Sequence, residues 1–431
     1  MTTSNPGQRR AFQPESFELS NGLRVILVEN HTLPSISLSL TVLGGARTDN
    51  EDFAGAAVMV SRLLDEGTET RTSLEIADAI ESVGGNIECD SSHDRTTVYL
   101  GILSKDIDLG LELLADVITH PAFTDEYVSN ERERILAEIR SAMDRPQVIA
   151  GWEFNELVYR GHPLHRPAHG YPETIERIER EHLTAFHHSQ FVPSNAILSA
   201  VGDFKIDDML AKLERSLGTW DDRSVAIREF APPVRQTDIR RKFLPISTEQ
   251  AHVYFGHLGI RRTDPDYYAL QLLDVILGGG AGLTARIPRK LRDEQGLAYT
   301  TFASIAASAG LDPGKFIAYI GTSPDNVELA MKGFIEEIDR IVAEPVEAQE
   351  LADAKAYLTG SFVFAFESNS QIARFLINAK VFGFGFDYVE HYPRYIENVT
   401  VADIRNAAAN HLSTTQYSLV IAGPEGTPGA I

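Results

Sequence analysis

Between Ser35 and Val42 the apolar residues Ile36, Leu38, Leu40 and Val42 alternate with Ser37, Ser39 and Thr41, the two-residue period of a strand with one buried face. A hairpin signal precedes it in FELSNGLRVILVEN, where Asn21-Gly22 offers the positive φ values of a tight turn between two extended runs. The period then lengthens to that of helices, predicted over 51–66, 72–83, 106–119, 124–145 and 147–160, with a strand pair expected at 86–91 and 95–103. An apolar strand, Ala196 to Val201, and a helix over 205–217 complete this half.

The segment 221–238, DDRSVAIREFAPPVRQTD, combines charges with a Pro-Pro pair and reads as an extended linker. Beyond it the order of elements restarts. A strand over 251–258 leads into Arg262-Thr263-Asp264, as the strand at 36–43 leads into Arg47-Thr48-Asp49, an offset of 215 residues. The late strands NAILSAVGDF, 195–204, and QYSLVIAG, 416–423, match in the same way. Such a long-period repeat predicts duplication of one α+β unit, giving homologous domains over 1–220 and 239–431, each an antiparallel-rich sheet packed with helices.

At 431 residues the chain exceeds what one ordinary core organises. Its 43% hydrophobic and 23% charged residues are those of a soluble globular protein. The single cysteine, Cys89, excludes an intramolecular disulfide framework and reads as a half-buried strand residue. A net charge of −22 argues against nucleic acid, which needs a basic surface. It fits either a simple solubility role or an acidic cavity that favours basic peptides. No run of 18 apolar residues exists to span a membrane. The opening MTTSNPGQRRAFQPES lacks the apolar core of a signal peptide, so the chain as it reads is expected in the cytoplasm, or in the periplasm if a leader has been removed.

The stretch Gly55–Thr68, GAAVMVSRLLDEGT, carries the most information. Histidines one helical turn apart can grip a zinc ion while a neighbouring glutamate activates its water, in the inverted order H-x-x-E-H. The surroundings here resemble the pitrilysin/insulysin/mitochondrial-processing-peptidase family, whose motif lies in a stretch like G-L-A-H-F-L-E-H-M-L-F-K-G-T. In that alignment the histidines fall on Val58 and Arg62 and the glutamate on Ser61. Valine has no donor atom, a guanidinium has no lone pair to give, and serine cannot replace a carboxylate as general base. Metal binding by this chain is therefore not expected.

The resemblance extends over nearly the whole chain, including HPLHRPAHGYPETI at 162–175. It implies that Glu131 and Glu138, seven residues apart in NERERILAEI, occupy the places of a supporting glutamate and a third zinc ligand. Apart from the resemblance they read as solvated surface of an acidic helix. In the second half the family has an arginine and a tyrosine in a segment like L-R-E-K-R-G-L-A-Y. Here Leu291-Arg292-Asp293-Glu294-Gln295-Gly296-Leu297-Ala298-Tyr299 follows the turn Gly278-Gly279-Gly280-Ala281-Gly282. The resemblance implies that Arg292 and Tyr299 reach a scissile peptide opposite the zinc and donate to its oxyanion. Without it, Arg292 reads as a cation at a helix C-terminus and Tyr299 as a half-buried strand aromatic.

Other signals carry less chemistry. His162-Pro163-Leu164-His165 is interrupted by proline, and adjacent His187 and His188 cannot both face one ion. The Gly280–Ala285 stretch fits a loose dinucleotide pattern but lacks its βαβ context. Some members of the family are two-chain enzymes. The expected function is thus the zinc-free subunit of a heterodimeric metallopeptidase, with Arg292 and Tyr299 acting in trans on peptides beside a homologous H-x-x-E-H subunit that holds the zinc. The alternative is a catalytically inactive structural or peptide-binding core subunit. An autonomous zinc hydrolase is a third reading, and metal analysis of the isolated chain would decide it. An Arg62 pairing with Glu131 or Glu138 is also expected, because a carboxylate left without its metal needs a cation.

Overall fold

The computed structural model describes residues 12–223, 225, 230–279 and 285–429. It contains two sheets. The first orders its strands β1-β2-β6-β3-β5-β4, with β1 Glu15–Glu18, β2 Arg24–Glu29, β3 Ser35–Val42, β4 Asn86–Ser91, β5 Thr96–Leu103 and β6 Ala196–Gly202. The second runs β7-β11-β8-β10-β9, with β7 Arg240–Pro245, β8 Ala251–Leu258, β9 Ala298–Ser304, β10 Lys315–Thr322 and β11 Ser418–Gly423.

The two sheets share one topology. Each has a single parallel pair, β2 with β6 and β7 with β11, followed by antiparallel neighbours throughout. Strands β2 to β6 thus correspond in chain order to β7 to β11, and the third strand of each set, β4 or β9, lies at a sheet edge. This is the duplicated α+β unit that the repeat predicts. In β3 the alternating pattern places Ile36, Leu38, Leu40 and Val42 in the core, each at most 2% exposed.

The boundaries differ from continuous halves. The first compact unit draws on Met1–Ala137, Ala168–Arg228 and Val363–Glu390, and the second on Glu138–Pro167, Glu229–Phe362 and His391–Ile431. Each sheet takes one covering helix from the other half of the sequence. In the first unit the helix Asn369–Val381 sets Ile372, Ala373, Leu376 and Ile377 against Ile26, Val28, Ile197 and Val201. In the second, the helix Pro146–Val158 sets Ala150, Phe154 and Val158 against Tyr254, Tyr319, Val420 and Ala422. An apolar stripe at i, i+4 and i+8 fixes which face of a helix is buried, but not which sheet buries it. Residues 224 and 226–229 of the linker at 221–238 lie outside the described residues.

Two local corrections apply. The helix expected over 51–66 is a 3-10 turn, Glu51–Phe53, followed by a separate helix, Ala56–Leu63. Gly55 divides them because its φ of +104° lies in the left-handed region that side chains avoid. The turn after β1 places only Gly22 at positive φ, and Leu19 and Leu23 close it through backbone hydrogen bonds. Cys89 lies half-buried on β4, as expected. Among the described residues no helix is long and apolar enough to cross a membrane.

Candidate functional site

In the first unit the candidate site lies on the helix Ala56–Leu63. Asp49 holds the N-terminus, its carboxylate accepting from the backbone N–H of Gly55 at 2.8 Å and of Ala57 at 3.0 Å. A negative charge there is favoured by the helix dipole and satisfies two orphan donors. Val58 and Ser61 are both buried, and the Ser61 hydroxyl donates to the Val58 carbonyl at 2.8 Å. Ser61 is therefore spent on its own helix and offers no base.

Arg62 turns to the long helix Asp125–Met143, where its Nη1 donates to Glu131 Oε1 at 3.2 Å. The other oxygen of Glu131 meets Arg134 Nε at 2.9 Å. Glu131 is buried, with 7% of its side chain exposed, so the two guanidiniums supply the counter-charge that a buried carboxylate requires. Glu131 is one of the two acids expected for Arg62, and Glu138 lies seven residues further along the same helix, exposed. Sequence reasoning missed Arg134, although the i, i+3 spacing in NERER signals it. This donor set does not fit zinc: an alkyl group, a hydroxyl turned to a carbonyl and a paired guanidinium stand where ligands would be needed. Arg62→Ala is expected to cost about 1–2 kcal/mol, less than a fully buried pair because Arg134 still faces Glu131. Urea unfolding of the variant checks it, and Glu131→Gln made in the same background should recover part of the loss.

Two neighbours complete this region. Asp65 is half-buried, and burial with the nearby charge of Glu66 raises its carboxyl against the opposing pull of Arg134. Burial likewise lifts the Cys89 thiol well above its ordinary range, so Cys89 is not a thiolate nucleophile.

The second unit places Arg292 in a π-helical turn, Arg289–Glu294, and Tyr299 on β9. Leu291, fully buried, anchors the turn against the helix Val327–Ala343. Gly333 there leaves room for it, since an added Cβ would lie 2.3 Å from Leu291 Cδ2. Lys290 ties the same two elements, reaching Glu336 at 2.7 Å and Glu337 at 3.1 Å. Gly296, with a φ of +63°, ends the turn; its N–H returns to the Arg292 carbonyl at 3.1 Å and that of Leu297 to the Leu291 carbonyl at 2.8 Å. Gly296→Ala meets no atom but must hold the left-handed conformation, so a loss of about 1 kcal/mol in thermal unfolding is expected.

A β-bulge then orients Tyr299. Ala298 pairs with Thr322 and Thr301 with Ile320, so two residues of β9, Tyr299 and Thr300, oppose Gly321 alone. Both consequently face outward on an edge strand, and Tyr299 is 92% exposed. The half-buried strand position that unaided sequence reading gives it is not what the fold adopts. Arg292 is oriented by Asp293, with Nε to Oδ1 at 2.8 Å. This contact first, and the nearby phenol of Tyr299 in addition, raise the guanidinium above its ordinary value. The fold thus brings Arg292 and Tyr299 into one electrostatic neighbourhood, a pairing legible in the sequence only through the family segment. Residues 280–284 of the glycine turn lie outside the described residues.

The remaining histidines have other partners. His162 accepts the Leu164 N–H through Nδ1 at 3.3 Å, His165 is hydrogen-bonded to Glu156, and His187 meets the Ile118 carbonyl at 2.8 Å through Nε2.

Comparison with known proteins identifies the family. Residues 24–170, which hold the altered helix and both glutamates, match the family described as Insulinase (Peptidase family M16). Residues 177–358, which hold Arg292 and Tyr299, match the family described as Peptidase M16 inactive domain. An uncharacterized zinc protease of Mycobacterium leprae is 30% identical over 414 residues, covering 94% of this chain and 91% of that protein. One from Bacillus subtilis is 24% identical over 95% of this chain and 98% of its own length. Among solved structures, a peptidase M16 inactive domain from Pseudomonas fluorescens aligns with a TM-score of 0.89 at 25% identity, covering 95% of this chain and 98% of that one. A protease from Helicobacter pylori has the same fold, with a TM-score of 0.89 at 21% identity over 96% of this chain and 100% of its own. With two family models matched over residues 24–170 and 177–358 and a relative 30% identical over 94% of the present sequence, the chain belongs to peptidase family M16.

Proposed function

We propose that this chain is the zinc-free subunit of a two-chain metallopeptidase, and that it lends Arg292 and Tyr299 to the site of a homologous H-x-x-E-H subunit. The observation that carries the reading is the contrast between the two units. The motif helix has every metal-ligand position filled by a group that cannot bind metal. The Arg292–Tyr299 segment keeps a full scaffold, and its bulge exposes a tyrosine that the fold has no need to expose.

In this reading the zinc belongs to the partner, where it supplies Lewis-acid activation of water for attack on a peptide carbonyl. Tyr299 and Arg292 act on the opposite side of that carbonyl. A neutral phenol O–H and a fixed guanidinium both donate to the oxygen on which charge develops, and Asp293 holds the guanidinium so that little reorganisation is needed during the reaction. The substrate is an extended peptide, adding to a free sheet edge of the kind that β4 and β9 present.

Mixing the purified chain with an H-x-x-E-H partner tests the reading. Peptide turnover is expected only in the mixture, with zinc in proportion to the partner. Stoichiometric zinc and turnover in the isolated chain would overturn it. Assembly with no turnover would replace it with a structural or peptide-holding core subunit.

A further inference from the structure

Across the second sheet a line of paired residues runs inward from the exposed tyrosine. Tyr299 and Thr300 of β9 oppose Gly321 of β10, and Gly321 pairs on its other side with His252 of β8. Residues directly opposite one another share a face of the sheet, so His252 stands on the face of Tyr299, two strand spacings or about 10 Å away. Ala422 of β11 pairs with His252 and packs under the helix Pro146–Val158, which identifies this face as the one that helix covers. The cover is incomplete. The first turn of the helix brings Gln147 to the hydroxyl of Tyr254, and His252, two residues nearer the start of β8, is only half-buried.

The imidazole is held in one orientation. Its Nδ1 lies 3.0 Å from the Tyr319 hydroxyl, with the two rings nearly parallel at 14°. Gly321 makes room for the pair, since a Cβ there would lie 3.2 Å from the Tyr319 hydroxyl and 3.7 Å from Nδ1. A glycine inside a strand weakens it, and this one marks a close approach of side chains. Burial holds His252 below the ordinary histidine value, so the ring is neutral at pH 7. Burial first, and Tyr254 beside it, raise Tyr319, which keeps its proton. A phenol O–H is the better donor of the two and an imidazole nitrogen the better acceptor, so Tyr319 donates to Nδ1 and the ring proton resides on Nε2. Among the described residues no other group bonds this ring. The Nε2–H is thus a fixed, uncharged donor on the face that Tyr299 shares.

We propose that His252 is a further substrate-contacting residue of the peptidase site, its Nε2–H donating to a backbone carbonyl of the peptide, and that Tyr319 is the positioning residue that sets its tautomer. The proposal rests on the peptidase reading above. An extended peptide advances about 3.3 Å per residue, so the peptide end that runs past the paired edge and crosses Gly321 reaches His252 about three residues from the carbonyl on Tyr299. A neutral donor suits a carbonyl, whereas a carboxylate side chain would find no cation on this ring.

Peptides of two lengths test it on the assembled two-chain peptidase, one with two residues on each side of the scissile bond and one with five. His252→Phe, which keeps an aromatic ring, is expected to lower the long-to-short ratio of kcat/KM about three- to tenfold, through loss of one hydrogen bond that only the long peptide makes. His252→Gln, whose side-chain N–H can take the place of Nε2–H, should restore most of that ratio. Tyr319→Phe should lower it by an intermediate factor. In the isolated chain, nitrogen-edited histidine spectra, assigned by the signal lost in His252→Gln, should show the Nε2–H tautomer for His252 and a mixture of tautomers in Tyr319→Phe. A ratio unchanged by His252→Phe, whatever happens to turnover, or an Nδ1–H tautomer would overturn the proposal and leave the peptidase reading standing. A wild-type pair that cleaves neither peptide would overturn that reading, and this proposal with it.

Discussion

Replacing Tyr299 by Phe is expected to lower kcat of the assembled two-chain peptidase by about a hundredfold or more while leaving KM within a few-fold. Removing one donor to a developing oxyanion costs roughly 3 kcal/mol of transition-state stabilisation, and an interaction made only in the transition state appears in kcat. The fold should not notice the change: Tyr299 is 92% exposed, so unfolding of the isolated chain stays where it was. Arg292→Lys separates charge from geometry. A lysine keeps the charge but loses the planar fork that Asp293 orients through Nε, so it should lose nearly as much as Arg292→Ala. The double variant Tyr299→Phe with Arg292→Ala should lose less than the two single losses combined, because both act on one oxyanion. Steady-state kinetics on a fixed ratio of the two chains reads all of this, and wild-type turnover from Tyr299→Phe would remove the residue from the site.

Much of this was legible along the chain. The period of Ile36, Leu38 and Leu40 gives β3 and its buried face, and the restart after 238 gives the duplicated topology. That Val58, Ser61 and Arg62 cannot hold zinc follows from their chemistry, once the family resemblance marks those positions. What escaped the sequence depends on tertiary choice. The helices Pro146–Val158 and Asn369–Val381 have ordinary apolar stripes, and either sheet offers an apolar face to bury them, so their exchange has no local signature. The bulge at Tyr299 was hidden for a different reason. It is a count of two residues against one across β9 and β10, and register between strands is not a property of either strand alone.

Acidification between pH 6.5 and 4 is expected to destabilise mainly the first unit, although each unit holds a buried histidine that resists protonation. In the second unit His257 is fully buried in β8, its Nδ1 on the Leu258 carbonyl at 2.9 Å and its Nε2 accepting from the Ser413 N–H at 3.1 Å. That arrangement needs the neutral ring, since the cation has no lone pair left for Ser413. Burial pushes His257 down from the ordinary 6.5 to about 4, and it does the same to His187 in the first unit. A depressed histidine contributes stability that is complete above the unfolded value and is lost as the pH falls toward the folded one, because the unfolded chain takes up the proton first. Each such shift is worth about 3 kcal/mol at the order-of-magnitude level. Asp274 acts in the opposite direction. Burial raises its carboxyl from 3.8 to about 6, even though it accepts from Ser304 Oγ at 2.6 Å and from the N–H groups of Ile305 and Ala306. Its contribution is present below 3.8 and lost as the pH rises through 6, offsetting about one of the two histidines over the same window. Because Asp274 and His257 belong to the second unit, the uncompensated loss of about 3 kcal/mol falls on the first. Calorimetric midpoints recorded at pH 7, 5.5 and 4.5 should therefore fall mainly for one of two transitions. His187→Gln should flatten that fall, and a first-unit transition equally acid-sensitive with and without His187 would refute the assignment.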